Sequence, residues 1–147
     1  MRFIRFSILL LAITALHGDG SSSKARLFVH VQGLRNAEGI AGALLFQSAR
    51  GFPDTKAQAF RMSGAHIRGN AATIVFTDLP SGQYALSVIH DENENRAMDK
   101  NLLRLPAEGF GFSNNPDTGL RLPAFSESSF DFTGDKDQHI YVRIRYL

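Results

Sequence analysis

The chain has 147 residues, no cysteine, 44% hydrophobic and 20% charged residues, and a formal net charge of +2 at pH 7. That length allows one domain with one sizeable core, and the composition is that of a folded protein rather than a disordered one. Disulfides, thiolate metal sites and cysteine nucleophiles are excluded, and the small net charge gives no argument for a nucleic-acid partner.

Residues 1–20 have the layout of a secretory signal peptide. Arg2 and Arg5 supply a positive start, Phe6 to Leu16 is an apolar run broken only by Ser7 and Thr14, and the small residues Gly18 and Gly20 follow. The run is well short of the ~20 residues that a membrane-spanning helix needs. With no cysteine after it, lipid attachment of the bacterial lipoprotein kind is excluded. Removing Arg2, Arg5 and Asp19 leaves 14 basic and 13 acidic residues, so the mature chain is nearly neutral. The expectation is a secreted or periplasmic protein with no transmembrane segment after cleavage, in which residues 21–147 form one domain.

That remainder alternates with period two. Leu27, Val29 and Val31 point one way and Phe28, His30 and Gln32 the other, as in a half-buried strand. Gly33 to Gly39 breaks it. Ile40 to Gln47 reads as a second strand, in which Gly42 suggests a bulge or a close backbone approach. A loop around Gly51 and Pro53 leads to a weaker strand pattern over 58–68, then to a clear strand at Thr73 to Thr77. Asp78-Leu79-Pro80-Ser81-Gly82 is a turn, because Pro80 fixes φ and Gly82 tolerates φ above zero. Tyr84, Leu86 and Val88 alternate with Ala85, Ser87 and Ile89. Ser128 to Phe132 is a short strand, and over 139–146 Ile140, Val142 and Ile144 alternate with Tyr141, Arg143 and Arg145. No sustained helical period occurs after the leader. About seven strands with turn signals between most of them predict an antiparallel immunoglobulin-like or transthyretin-like β-sandwich. The exception is residues 91–127, a long loop rich in Gly, Asn, Asp and Pro, and such loops are usually functional or disordered. Its Phe and Leu residues argue for order.

The loop holds the concentrated chemistry. Asp91, Asn93, Asn95 and Asp99 stand at positions 1, 3, 5 and 9 of a stretch that matches the first part of an EF-hand-type calcium loop. Calcium needs six to eight oxygens, and alternate residues of a tight loop can supply them at one point. Arg96 stands where glycine normally makes the sharp turn. Leu102 stands where a bidentate Glu belongs, so Glu108 joins the set only by folding back. Against this candidate calcium site stands a plain polar turn, since Asp and Asn hydrogen-bond to backbone two residues on. Gly109 and Gly111 are not a phosphate loop, because Asn115-Pro116 follows instead of a helix N-terminus. Phe110 and Phe112 either pin the loop to the sandwich rim or form an aromatic platform. His90, Phe110, Phe112 and Asn114 make the candidate ligand-contacting set. Ser113 has no G-x-S-x-G context, and His30, His66 and His139 are scattered without a zinc-ligand spacing.

Several segments resemble the secreted bacterial family filed as domain of unknown function 2141. They are Val31 to Asn36 with Gly39, Gly51-Phe52-Pro53, Asp78 to Ala85, His90 to Asn95 with Met98-Asp99, Glu108 to Asn115, and Pro123-Ala124-Phe125. The family usually has Gly near Arg96, where this chain departs. The resemblance implies a secreted bacterial sandwich-like domain and no particular activity. The L-P-x-G-x-Y turn is also similar to turns of transthyretin-like and carboxypeptidase-regulatory-like sandwiches, which are mostly non-catalytic modules.

Two functions are consistent with this reading. One is a non-catalytic module, possessing a calcium-organised loop, that serves binding or structure at the cell envelope through a partner or ligand the sequence does not identify. The other is an envelope hydrolase using His90 with Asp91 or Glu108 as acid and base. The leader makes a separate prediction. Intact-mass measurement of protein from an envelope fraction should give a chain starting close to Ser21, and a mass retaining residues 1–16 would contradict the signal peptide.

Overall fold

The computed structural model describes residues 24–147. The signal peptide expected over residues 1–20 lies outside them. The described chain is almost entirely β: β1 (Leu27–Gln32), β2 (Ile40–Phe46), β3 (Arg61–His66), β4 (Ala71–Phe76), β5 (Gly82–Asp91), β6 (Gly109–Phe112), β7 (Ser129–Phe132) and β8 (Gln138–Arg143). One helical turn, α1 (Phe125–Ser128), precedes β7, and a 3₁₀ turn spans Lys56–Gln58.

The strands form two sheets. In the smaller, β1 lies between β4 and β8. In the larger, the order is β3-β2-β5-β6, and β7 pairs with the first part of β5. The period-two alternation places one face of each sheet in a shared core. Leu27, Val29, Val31, Ile74 and Val142 come from the smaller sheet, and Ala41, Leu45, Tyr84, Leu86 and Val88 from the larger. The inward residues expected from periodicity all belong to this cluster, with Ile144 buried and Ile140 packed against it partly buried.

Four features differ from the sequence reading. The strands number eight among the described residues. The first and last of them, β1 and β8, run parallel, with Val29 opposite Ile140 and His30 opposite Tyr141. Strand direction leaves no trace in alternation, so this pairing was not legible. Gly42 makes no bulge: it pairs in regular register with Ile89, and a Cβ there would meet only the Ile89 side chain, at 3.6 Å. Finally, the stretch read as one loop over 91–127 contains β6 and most of α1. Half of β6 is glycine, a residue depleted in strands, which hid it.

β5 is buried on both faces along most of its length. Its outward residues are covered by a second apolar layer. The Phe52 ring packs edge-on against Phe46 (5.5 Å between centroids) and Phe125 (5.9 Å), and lies 6.2 Å from Phe112. Loop 47–60 and α1 are thereby fastened to the outside of the larger sheet. The expected turn at 78–82 is closed by the Tyr84 hydroxyl, which donates to the Pro80 carbonyl (2.8 Å).

Leu86 is fully buried between the sheets. Leu86→Ala should cost about 2–5 kcal/mol in denaturant melts, and the exposed Arg143→Ala less than about 0.5 kcal/mol. Equal costs would mean that the faces are wrongly assigned.

Candidate functional site

The β5–β6 connection begins where β5 ends, at His90 and Asp91. Both are buried, at 0% and 1% exposure, and Glu108 just before β6 is 4% exposed. A buried carboxylate requires hydrogen-bond donors, and the loop supplies them from its own backbone. Asp91 accepts from the amides of Asn95 (3.1 Å) and Arg96 (2.7 Å). Glu108 folds back over the loop and accepts from the amides of Glu92 (3.0 Å) and Asp99 (3.1 Å). Asp99 receives the side-chain amides of Asn93 (2.7 Å) and Asn95 (2.9 Å). The oxygens of those two asparagines accept from the amides of Asn95 and Ala97. Asp91, Asn93, Asn95 and Asp99 are therefore gathered into one hydrogen-bonded knot, and Glu108 closes it. Arg96 adopts φ +61°, the left-handed conformation that glycine takes without penalty. Among the described residues, no group of three or more His, Asp or Glu side chains is placed to share a metal ion.

Glu92 belongs to a neighbouring network. Its carboxylate pairs with the Arg35 guanidinium, which donates from both Nε and Nη2, and accepts from the Asn36 amide (2.8 Å). Hydrogen bonding to Arg35 holds the Glu92 carboxyl below the usual range, against the opposing effect of burial. Gly39 lets the 33–39 turn close onto the loop, because a Cβ there would lie 1.9 Å from the Asp91 carbonyl oxygen.

His90 faces away from the carboxylate knot. Its Nε2 lies 2.9 Å from the Glu38 carbonyl oxygen and its Nδ1 lies 2.6 Å from the Tyr146 hydroxyl. A carbonyl only accepts, so Nε2 carries the proton, and Nδ1 accepts from Tyr146. Burial raises the Tyr146 phenol above its ordinary value, which keeps it a donor. The Arg35 amide in turn donates to that hydroxyl (3.0 Å). Both ring nitrogens of His90 are thus engaged, and neither faces Asp91 or Glu108. Periodicity gave no sign that Tyr146 was the partner of His90. Arg35 and Glu38, in a turn far from His90 in sequence, were missed.

The Glu108–Asn115 segment serves the fold at almost every position. Gly109 and Gly111 face the end of β8. A Cβ on Gly109 would lie 2.5 Å from Ile144 and Tyr146, and one on Gly111 would lie 2.6 Å from the Arg143 carbonyl. This closeness lets Phe110 exchange backbone hydrogen bonds with Arg145 (3.0 and 2.9 Å), joining the two sheets at one edge. Phe110 and Phe112 point to the other side and are buried, at 7% and 5% exposure. Arg145 covers the Phe110 ring. They pin the segment, and Phe112 also lines the groove beside it.

Ser113 occupies the place on the edge of β5 where β7 pairing stops and β6 pairing begins. Its hydroxyl accepts from the Leu86 amide (2.9 Å) and donates to the Ser128 carbonyl (2.5 Å). Asn114 donates to the Ser129 carbonyl (2.7 Å). Asn115 grips the edge of β8 with both ends, donating to the Tyr141 carbonyl (2.9 Å) and accepting from the Arg143 amide (2.7 Å). A groove of about 430 Å³ beside this segment is lined by residues including Gln32, Tyr141, Arg143 and Arg145, and by none of His90, Asp91 and Glu108.

A family model for bacterial proteins described as "Uncharacterized protein conserved in bacteria (DUF2141)" matches residues 29–141. The chain belongs to this family. The match runs from β1 into β8 and takes in the carboxylate knot and the whole Glu108–Asn115 segment. Among curated proteins and among solved structures, none matches the chain.

The close approach of β6 to β8 makes a prediction. Gly111→Ala forces Cβ against backbone and should cost about 1–3 kcal/mol. Gly42→Ala, with only ordinary contact to meet, should be nearly neutral. Denaturant melts of the two variants would check this, and an equal, small effect at both positions would contradict the close packing.

Proposed function

We propose that this member of the DUF2141 family is a secreted or periplasmic, non-catalytic β-sandwich module whose 91–108 loop is organised by calcium, and that it serves binding or structure at the cell envelope. The observation that carries the proposal is the gathering of Asp91, Asn93, Asn95, Asp99 and Glu108 into one hydrogen-bonded knot, whose three carboxylates would draw closer together to share an ion. Each carboxylate or amide oxygen retains a second lone pair after bonding one N–H, so the knot still offers acceptors to a hard cation. Arg96 holds the turn geometry that glycine supplies in loops of this kind. An immunoglobulin-like or transthyretin-like assignment is supported by the two-sheet core and by Tyr84, whose hydroxyl reaches the backbone four residues upstream as in a tyrosine corner.

The hydrolase alternative needs a histidine that can exchange protons with substrate. His90 is buried, its nitrogens are engaged by Glu38 and Tyr146, and its ring is not hydrogen-bonded to Asp91 or Glu108. The geometry therefore favours the module over the enzyme. Among the described residues no helix is long and apolar enough to cross a membrane.

Calcium affinity should sit at the weak end for extracellular modules, roughly 10⁻⁴ to 10⁻³ M, because Arg96 opposes the cation. With a dissociation constant of ~0.1 mM, 1 mM calcium adds about 1.4 kcal/mol of stability. The melting temperature should rise by roughly 4–8 °C. Magnesium should do much less, since it demands tighter octahedral geometry. Asp91→Asn combined with Asp99→Asn should abolish the shift, and Arg96→Gly should enlarge it. Melting with calcium, magnesium and chelator tests the proposal. No calcium-specific shift at ~10 mM would leave a plain polar turn, and a shift surviving the double substitution would place calcium elsewhere.

A further inference from the structure

The outer face of the three-stranded sheet carries a row of rings that the sequence scatters. Parallel pairing of β1 with β8 sets Phe28 opposite His139 and His30 opposite Tyr141. The ring planes are nearly parallel along the row, with Phe28 to His139 at 4.7 Å, His139 to His30 at 5.2 Å, and His30 to Tyr141 at 4.8 Å between centroids. The two histidines do more than stack. His30 Nε2 lies 2.9 Å from His139 Nδ1. A nitrogen contact that short, with centroids 5.2 Å apart and planes 7° from parallel, means that the rings meet edge to edge. The facing lone-pair positions share one hydrogen.

The other nitrogen of His30 bears on which atom carries that hydrogen. Nδ1 lies 3.4 Å from the Thr73 hydroxyl on β4. With its proton on Nδ1, donated to Thr73, His30 turns an unprotonated Nε2 toward His139. His139 is exposed and its Nε2 is not hydrogen-bonded within the described protein, so the ring can move its proton there and free Nδ1. Two neutral imidazoles then direct two lone pairs at one point. Outer-shell bonding of this kind is how metal-ligating histidines are usually fixed.

We propose that His30 and His139 form a bidentate imidazole site for a late first-row divalent metal, Cu²⁺ or Ni²⁺ ahead of Zn²⁺. The ordering follows from geometry. Two nitrogens 2.9 Å apart, each ~2.05 Å from a metal, subtend an angle of about 90° at it. That is the angle between cis ligands of a square-planar or octahedral ion, the arrangement preferred by Cu²⁺ and Ni²⁺. A tetrahedral ion needs about 109°, hence a wider separation of about 3.3 Å. Both rings must turn, without separating the two nitrogens, until their lone pairs converge, which loosens the stacking of His139 on Phe28 and of His30 on Tyr141. Water completes the coordination. Asp137, two residues before His139 in the chain, is paired with Arg26, and Arg143 lies farther along β8.

The test is titration of the untagged mature protein with Cu²⁺, Ni²⁺ and Zn²⁺, by calorimetry and by electron paramagnetic resonance of the Cu²⁺ form. Wild type should bind one Cu²⁺ with nitrogen in the equatorial plane, and Ni²⁺ more tightly than Zn²⁺. His30→Gln and His139→Gln should each weaken Cu²⁺ binding at least ~10-fold, while His66→Gln on β3 should not change it. Both substitutions lie on the solvent face, and circular dichroism should report an unchanged fold. Binding unaltered by either substitution would overturn the proposal, as would Zn²⁺ binding more tightly than Ni²⁺.

Discussion

A backbone amide or carbonyl taken out of water must be paired, and the outer edge of β5 is where this fold meets that demand with most difficulty. No single strand covers the edge. β7 pairs with Gly82 to Ala85 and β6 with Ser87 to His90, which leaves Leu86 between them. Ser113 fills the gap with its backbone amide and its hydroxyl. From that point Asn114 secures β7 and Asn115 secures β8. The serine and two asparagines act as a fastening between strands that come from distant parts of the chain. Leaving such a buried group unpaired costs about 1–3 kcal/mol, so each side chain matters out of proportion to its size.

The same demand shapes the loop before β6. Residues 92–107 form no strand with a sheet partner, yet the loop returns β6 to lie beside β5. Asp91 and Glu108, at its two ends, each bind two loop amides. The ends of the loop are thus held by carboxylates buried in the rim, while apolar residues at its tip, such as Leu102 and Leu103, face solvent. The loop is ordered near the sheet because its backbone is satisfied there, not because it packs a core.

Much of the core was legible in the sequence, because a half-buried strand announces itself through period two. Leu27, Val29 and Val31 show it, as do Tyr84, Leu86 and Val88. What escaped were features set by pairing between distant segments. The alternating glycines of β6 look like a flexible loop until β8 is placed against them. His90 looks like a candidate base until Tyr146 and Glu38 arrive at its nitrogens. His30 and His139 look unrelated until parallel pairing joins them. The spacing of Asp91, Asn93, Asn95 and Asp99 was informative, since those four do gather, with Glu108 folding back as the sequence required. The chemistry of that cluster depends on how many lone pairs the backbone leaves free, which spacing does not encode.

Buried side-chain acceptors hold the backbone of the β5–β6 connection in place. Native-state hydrogen exchange tests it at the amides of Glu92 and Asp99, which lie outside the sheet ladders from β6 to β8 and donate to Glu108. In wild type both amides should exchange far more slowly than the exposed amides of the loop tip. In Glu108→Ala both should lose their protection while the amides of β1 and β2 keep theirs. Fast exchange at Glu92 and Asp99 in the wild type, or protection that persists without the Glu108 carboxylate, would contradict the account.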